Sequence, residues 1–185
     1  PLRTNMAVAT DDTLSTWPHL HHLAGGSAPG EPPTKISIDD MSSTTPIGLD
    51  ASSGRVAIRQ EDARGVRILV IAKDSSAPAE IVTVPSGQDP WATLLRGNAI
   101  IFGKGETASD GRIFAQIGTA DAREVAKLDG AVIGSAPIGP LEFAAISANG
   151  EVVRGNISTG ELRRVNVAAG KAMFVASDLN TRVVV

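Results

Sequence analysis

An all-β protein, mainly an antiparallel sandwich or barrel with one or two short helices and a long extended N-terminal arm, is the fold class this sequence predicts. Three observations predict it. The 185-residue chain is 42% apolar, with no Tyr, four Phe and two Trp; Val, Ile, Ala and Leu supply the rest, a balance that suits pleated surfaces. From residue 55 to residue 185, short apolar runs alternate with Gly, Asn and Asp turn signals at the spacing of a sandwich or barrel. From residue 1 to residue 54, Pro18, Pro29, Pro32, Pro33 and Pro46 break every periodic pattern in a Gly-, Ser-, Thr- and Asp-rich stretch. Such a composition cannot bury enough apolar surface to build its own core. The chain therefore divides into an arm or linker over 1–54 and a β domain over 55–185.

Within the arm, the segment from Gly25 to Pro33 reads as linker between two sparse apolar clusters: Leu14, Trp17, Leu20 and Leu23 before it, and Ile36, Ile38 and Met41 after it. The first cluster has the spacing of a turn or two of helix, which Pro18 disfavours. After Gly54, Arg55 to Arg59 alternates, and Val66 to Ala72 is almost wholly apolar, as expected of a strand covered on both faces. Ile81 to Val84, Ala99 to Phe102 and Arg112 to Ile117 follow as strands, the last two joined into a hairpin by a loop ending in Asp110-Gly111. Leu141 to Ala148 and Glu151 to Asn156 flank Asn149-Gly150, whose turn requires φ > 0 at both central positions. Leu162 to Ala168, Ala172 to Ser177 and Thr181 to Val185 complete the set. Two stretches read as short helices: Ala122 to Leu128, capped by Asp121 with Glu124 three residues on, and Pro90 to Leu95, capped by Asp89. No fixed-period repeat emerges, although hairpins in series invite comparison with a propeller blade.

Composition narrows the function classes. A net charge of −3 supplies no positive field for phosphate backbones, so nucleic acid is not expected as a partner. Without cysteine there are no disulfides, thiolate metal sites or cysteine nucleophiles. No apolar run approaches a membrane helix, and Met6-Ala7-Val8-Ala9 is too short for an export signal. A start at Pro1 fits either removal of an initiator methionine or cleavage of a longer precursor, and the expectation is a chain made in the cytoplasm that contacts neither membrane nor nucleic acid.

No motif carries chemistry convincingly. His19, His21 and His22 are the three histidines of the chain; they sit in the proline-flanked arm, which offers little of the rigidity a zinc site needs. A serine triad in the β domain would require the arm to fold back over it. Gly103-Lys104-Gly105 departs from a phosphate loop twice, at Asn98 and at Gly105. No dinucleotide fingerprint is present. Arg154, Arg163 and Arg164 form a basic patch if their strands pair, and Trp17 and Trp91 are the residues best suited to stacking. Asn156-Ile157-Ser158 matches a glycosylation triplet, a pattern common by chance. No catalytic, cofactor-binding or metal-binding residue is assigned, and no cofactor is expected.

Ordering about fifty linker-like residues costs roughly 1–2 kcal/mol each, which the arm's few apolar residues offset only against a partner surface. Leu14, Trp17, Leu20, Leu23, Ile36, Ile38 and Met41 are thus the expected partner-binding residues. The leading reading is a non-enzymatic structural or interaction protein of a large assembly, docking by its β domain and lacing other protein subunits with its arm. In layout alone the chain resembles the capsid-decoration, head and tail proteins of tailed bacteriophages, which implies a virion or other extracellular assembly and transfers no functional residues. The alternatives are a ligand- or carbohydrate-binding β-sandwich module, and a metal-dependent enzyme using His19, His21 and His22.

Overall fold

The computed structural model describes residues 4–10, 13–20, 34–37, 44–50, 53–72, 78–166, 176–177 and 183–184. These residues are all-β and antiparallel, as the sequence predicts. Strands β1 (Thr4–Thr10), β2 (Thr13–Leu20) and β3 (Thr34–Ser37) pair in that order. Three four-stranded sheets follow. The first contains β4 (Thr44–Asp50), β5 (Arg55–Asp62), β6 (Gly65–Ile71) and β7 (Ala79–Val84). The second contains β8 (Trp91–Leu95), β9 (Ala99–Gly103), β10 (Arg112–Ile117) and β11 (Arg123–Lys127). The third contains β12 (Val132–Pro137), β13 (Glu142–Ser147), β14 (Glu151–Asn156) and β15 (Leu162–Asn166). A short pair, β16 (Ala176–Ser177) with β17 (Val183–Val184), comes last.

Each four-stranded sheet is a meander in which every strand pairs with its neighbour in sequence. Consecutive sheets meet through their first strands: β1 lies against β4, β4 against β8, β8 against β12 and β12 against β16. Meanders stacked face to face with their first strands innermost are the blades of a β-propeller. The sandwich or barrel expected from the strand pattern is thus realised as a fan of separate sheets.

Alternation explains the packing. In β9, Ala99 and Ile101 face the third sheet, where they join Phe143, Ala145, Val153 and Ile157 in one core. Ile100 and Phe102 point the other way and join Val66, Ile68, Val70 and Val82 of the first sheet in a second core. A sheet covered on both faces favours apolar residues along its central strands: β9 is buried and apolar throughout, and β6 is buried throughout with Arg67, bonded to Gln60 and Asp62, as its one charged residue. This is the reading the run Val66 to Ala72 invited.

Several expectations are corrected. Thr44–Asp50 lies inside the stretch assigned to the arm, yet it pairs with β5 along its length, so the boundary at residue 54 cuts through a sheet. Pro46 is accommodated because β4 is an edge strand; Pro137 in β12, another edge strand, concealed that element in the same way. Both expected helices are strands. Trp91–Leu95 pairs with β9 and Arg123–Lys127 with β10, since a helix of six or seven residues is marginal by itself while sheet pairing buries Leu94, Leu95 and Ala126. The Asn149-Gly150 hairpin forms, but only Gly150 has positive φ; Gly97 and Asn98, between β8 and β9, are the adjacent pair that both adopt it. A repeat is also present: Gly65, Gly111 and Gly150 each precede or open the third strand of a sheet, at intervals of 46 and 39 residues, close to the length of one blade.

Two contacts hold neighbouring elements in register. Gly155 stands opposite Phe143, and a Cβ there would lie 2.5 Å from the buried ring. Buried Arg55, at the start of β5, donates to Asp50 (3.1 Å), Ser53 (2.9 Å), Asn98 (3.2 Å), the Ala99 carbonyl (3.1 Å) and the Leu95 carbonyl. It thereby ties the first sheet to the β8–β9 turn of the second. Replacing Gly155 by Ala is expected to cost about 1–3 kcal/mol through overpacking, measured by urea denaturation. Replacing Arg55 by Met removes one member of a buried pair and is expected to cost about 3–5 kcal/mol; an unchanged urea midpoint would show that the tie contributes nothing.

Candidate functional site

Because the meanders alternate direction, the β5–β6, β7–β8, β9–β10, β11–β12 and β13–β14 connections gather at one end of the three sheets. The longest of these with every residue described is the β9–β10 loop, residues 104–111. At this end a cleft of about 810 Å³ opens where the first strands converge. Its floor is Ile47 of β4, Trp91 to Thr93 of β8 and Val132 to Ser135 of β12. Arg59 of β5, the turn before β8 and the β9–β10 loop form its walls.

Local chemistry shapes each wall. Trp91 lies over Gly103, its cross-strand partner, which leaves the indole half-buried at the cleft surface. Thr93 and Ser135 share a hydrogen bond of 2.6 Å between their hydroxyls, joining the innermost strands of the second and third sheets. Ile133 is 46% exposed, a large apolar side chain left open to solvent on an inner strand. The β9–β10 loop is folded by Asp110, whose carboxylate accepts from the backbone N–H groups of Glu106 (3.3 Å) and Arg112 (3.2 Å) and from Arg112 Nε (2.9 Å). Arg112 also donates to Glu106 (2.5 Å). Gly105 keeps this loop against the turn before β8: at φ +60 its missing Cβ would sit 2.2 Å from the Asp89 carbonyl, so no side chain fits.

Arg59 is held loosely. Its Nη1 lies 3.5 Å from Glu61 and its Nε 3.8 Å from Asp89, whose side chain is 95% exposed. Nε itself is buried and has no hydrogen-bond partner.

The residues expected to bind partners are distributed differently. Leu14, Trp17 and Leu20 are on β2 and Ile36 on β3, where Leu14 is the register partner of Ile36 and Trp17 of Met6; Leu23, Ile38 and Met41 lie outside the described residues. His19 falls on β2, while His21 and His22 lie outside the described residues. Among the described residues no cluster of His, Asp or Glu is arranged to hold a metal ion. Arg154 and Arg163 do meet as cross-strand partners, but Arg154 pairs with Glu142 (2.9 Å), Arg163 with Glu161 (2.9 Å) and Arg164 with Glu151, so the basic patch is neutralised. Asn156 spends its Oδ1 on the backbone N–H groups of Ser158 and Thr159, closing the turn that contains the glycosylation triplet. Sequence reasoning missed the cleft because its floor comes from β4 and β12, the proline-containing strands, and from β8, read as helix.

No family model matches the chain, and no curated protein matches it. Among solved structures, it is similar to TolB from Acinetobacter baumannii, with a TM-score of 0.54 and 14% identity over 85% of this chain and 38% of that one. It is also similar to a chain of the nidogen/laminin complex, with a TM-score of 0.55 and 14% identity over 94% of this chain and 64% of that one. The chain thus spans less than two thirds of either relative. At this identity the likeness concerns the fold alone. No helix among the described residues is long and apolar enough to cross a membrane.

Four carboxylates have pKa values below their ordinary range: Asp62, lowered by hydrogen bonds from Arg64, and Asp110, Glu151 and Glu142. Burial pushes Asp110 up, but the hydrogen bonds from Arg112 and Glu106 outweigh it. Burial likewise raises Glu151, and the Asp129 N–H and Arg164 overcome it. Arg154 lowers Glu142 directly. Each group binds its proton less readily folded than unfolded, so the stability it contributes is present above the unfolded pKa and lost as pH falls through the folded one. The melting temperature is expected to drop between about pH 5 and pH 3, and Asp110→Asn is expected to flatten part of that drop in a scanning-calorimetry series.

Proposed function

We propose that the chain is a non-catalytic interaction protein that joins other protein subunits through the cleft at the inner end of its sheets. The observation that carries this reading is the cleft itself, about 810 Å³, in the size range of ligand-holding sites. It combines a half-buried Trp91 and an exposed Ile133, the aromatic and aliphatic anchors on which protein contacts concentrate. The nidogen/laminin complex, whose fold this chain resembles, supports it as an instance of that architecture within a protein complex. The described parts of residues 1–54 pair with strands of their own chain, so the proposal places the partner contact at the cleft. The setting proposed is a large multi-subunit assembly, a virion-like one among them.

Substituting Asp for Ile133 tests the role of the cleft. Ile133 is exposed, so the melting temperature is expected to stay within a degree or two of wild type. Co-migration with partner subunits in size-exclusion chromatography coupled to light scattering, from the native source, is expected to weaken at least tenfold. Undiminished co-migration would overturn the assignment of the cleft.

A further inference from the structure

Resting on the cleft reading, we propose that the partner enters as an extended segment carrying an acidic side chain, and that Arg59 is the residue that receives it. The argument begins with hydrogen bonding. A guanidinium carries five donors, and the Nε of Arg59 is sealed from water on the cleft wall without an acceptor. The two carboxylates beside it, Glu61 and Asp89, stand at 3.5 and 3.8 Å, and Asp89 lies almost wholly in solvent, where such a pair is worth little. A carboxylate arriving along the cleft floor displaces Asp89 at small cost and forms charge-assisted hydrogen bonds in its place. An arriving ammonium would instead compete with Arg59 for the Asp89 carboxylate and leave Nε still without an acceptor.

The remaining walls state what should flank the acid. Ile47, Trp91, Val132 and Ile133 offer apolar surface on the three inner strands, so aliphatic or aromatic side chains next to the carboxylate are the complementary neighbours. Thr93 and Ser135 already satisfy each other at 2.6 Å and need nothing from a ligand. The cleft extends across β4, β8 and β12, which a small carboxylic acid would cover only in part and an extended peptide covers along its length.

A phage-displayed random dodecapeptide library, panned in parallel on the wild-type chain, Arg59→Gln and Ile133→Asp, tests this. Expected is enrichment of Asp or Glu next to apolar residues on the wild type, loss of the acidic preference on Arg59→Gln, and loss of all enrichment on Ile133→Asp. For the best binder, replacing its acidic residue by the amide should weaken binding to wild type at least tenfold and leave binding to Arg59→Gln unchanged. Enriched peptides that lack an acid but depend on Ile133 would overturn the role of Arg59 and leave the cleft as the docking site. Enrichment independent of Ile133, or none, would overturn both.

Discussion

Face-to-face burial of thin antiparallel sheets is the constraint on which everything else in this molecule depends. A sheet covered on one side needs apolar residues at alternate positions, but a sheet between two others favours them all along its central strands. The second sheet meets this demand with Ala99 and Ile101 on one face and Ile100 and Phe102 on the other. Small residues matter as much as large ones. Ala92, Ala115, Ala126 and Ala145 are buried between sheets, and Gly155 lets the Phe143 ring lie across its strand. The scarcity of aromatic residues is thus a property of a core assembled from thin layers.

The same geometry creates the cleft. Inner strands pair on one side only, so their free edges and the side chains near them converge on a common line, where proline is tolerated and an exposed Ile133 costs little. The walls are firmer than an open loop would be. Asp110 takes its partners from its own loop and from the first residue of β10, and Gly105 closes the gap to the Asp89 backbone, so the cleft is shaped before anything enters it. Preorganisation of this kind reduces the ordering cost of binding.

Much of the fold was legible in residues, and the misses share a cause. The run from Val66 announced a doubly covered strand, and Asp110-Gly111 and Asn149-Gly150 announced two hairpins that both form. Local signals misled where tertiary pairing overrode them: Asp121 and Glu124 make a good helix cap, but the five residues after Ala122 complete an edge of the second sheet. Pro46 and Pro137 read as breakers because a linear pattern does not reveal that a strand is an edge. The repeat was hidden because unequal loops, with residues 104–111 in one sheet where another has a two-residue turn at Ala63-Arg64, blur a fixed period. The candidate site was almost illegible, since Arg59, Asp89 and Ile133 are distant in sequence and meet only once three sheets stack.

Arg55 reaches from one sheet into the next turn, and Arg123 does so one sheet later by donating to the Ile157 carbonyl. Such bonds couple only adjacent layers, which gives the molecule the character of a short one-dimensional array. Damage to one layer is felt fully by its two neighbours and weakly by those beyond, and a further meander could be appended without disturbing any contact already made. Growth by whole layers, rather than by enlargement of a single core, is the route by which a chain of this design changes size.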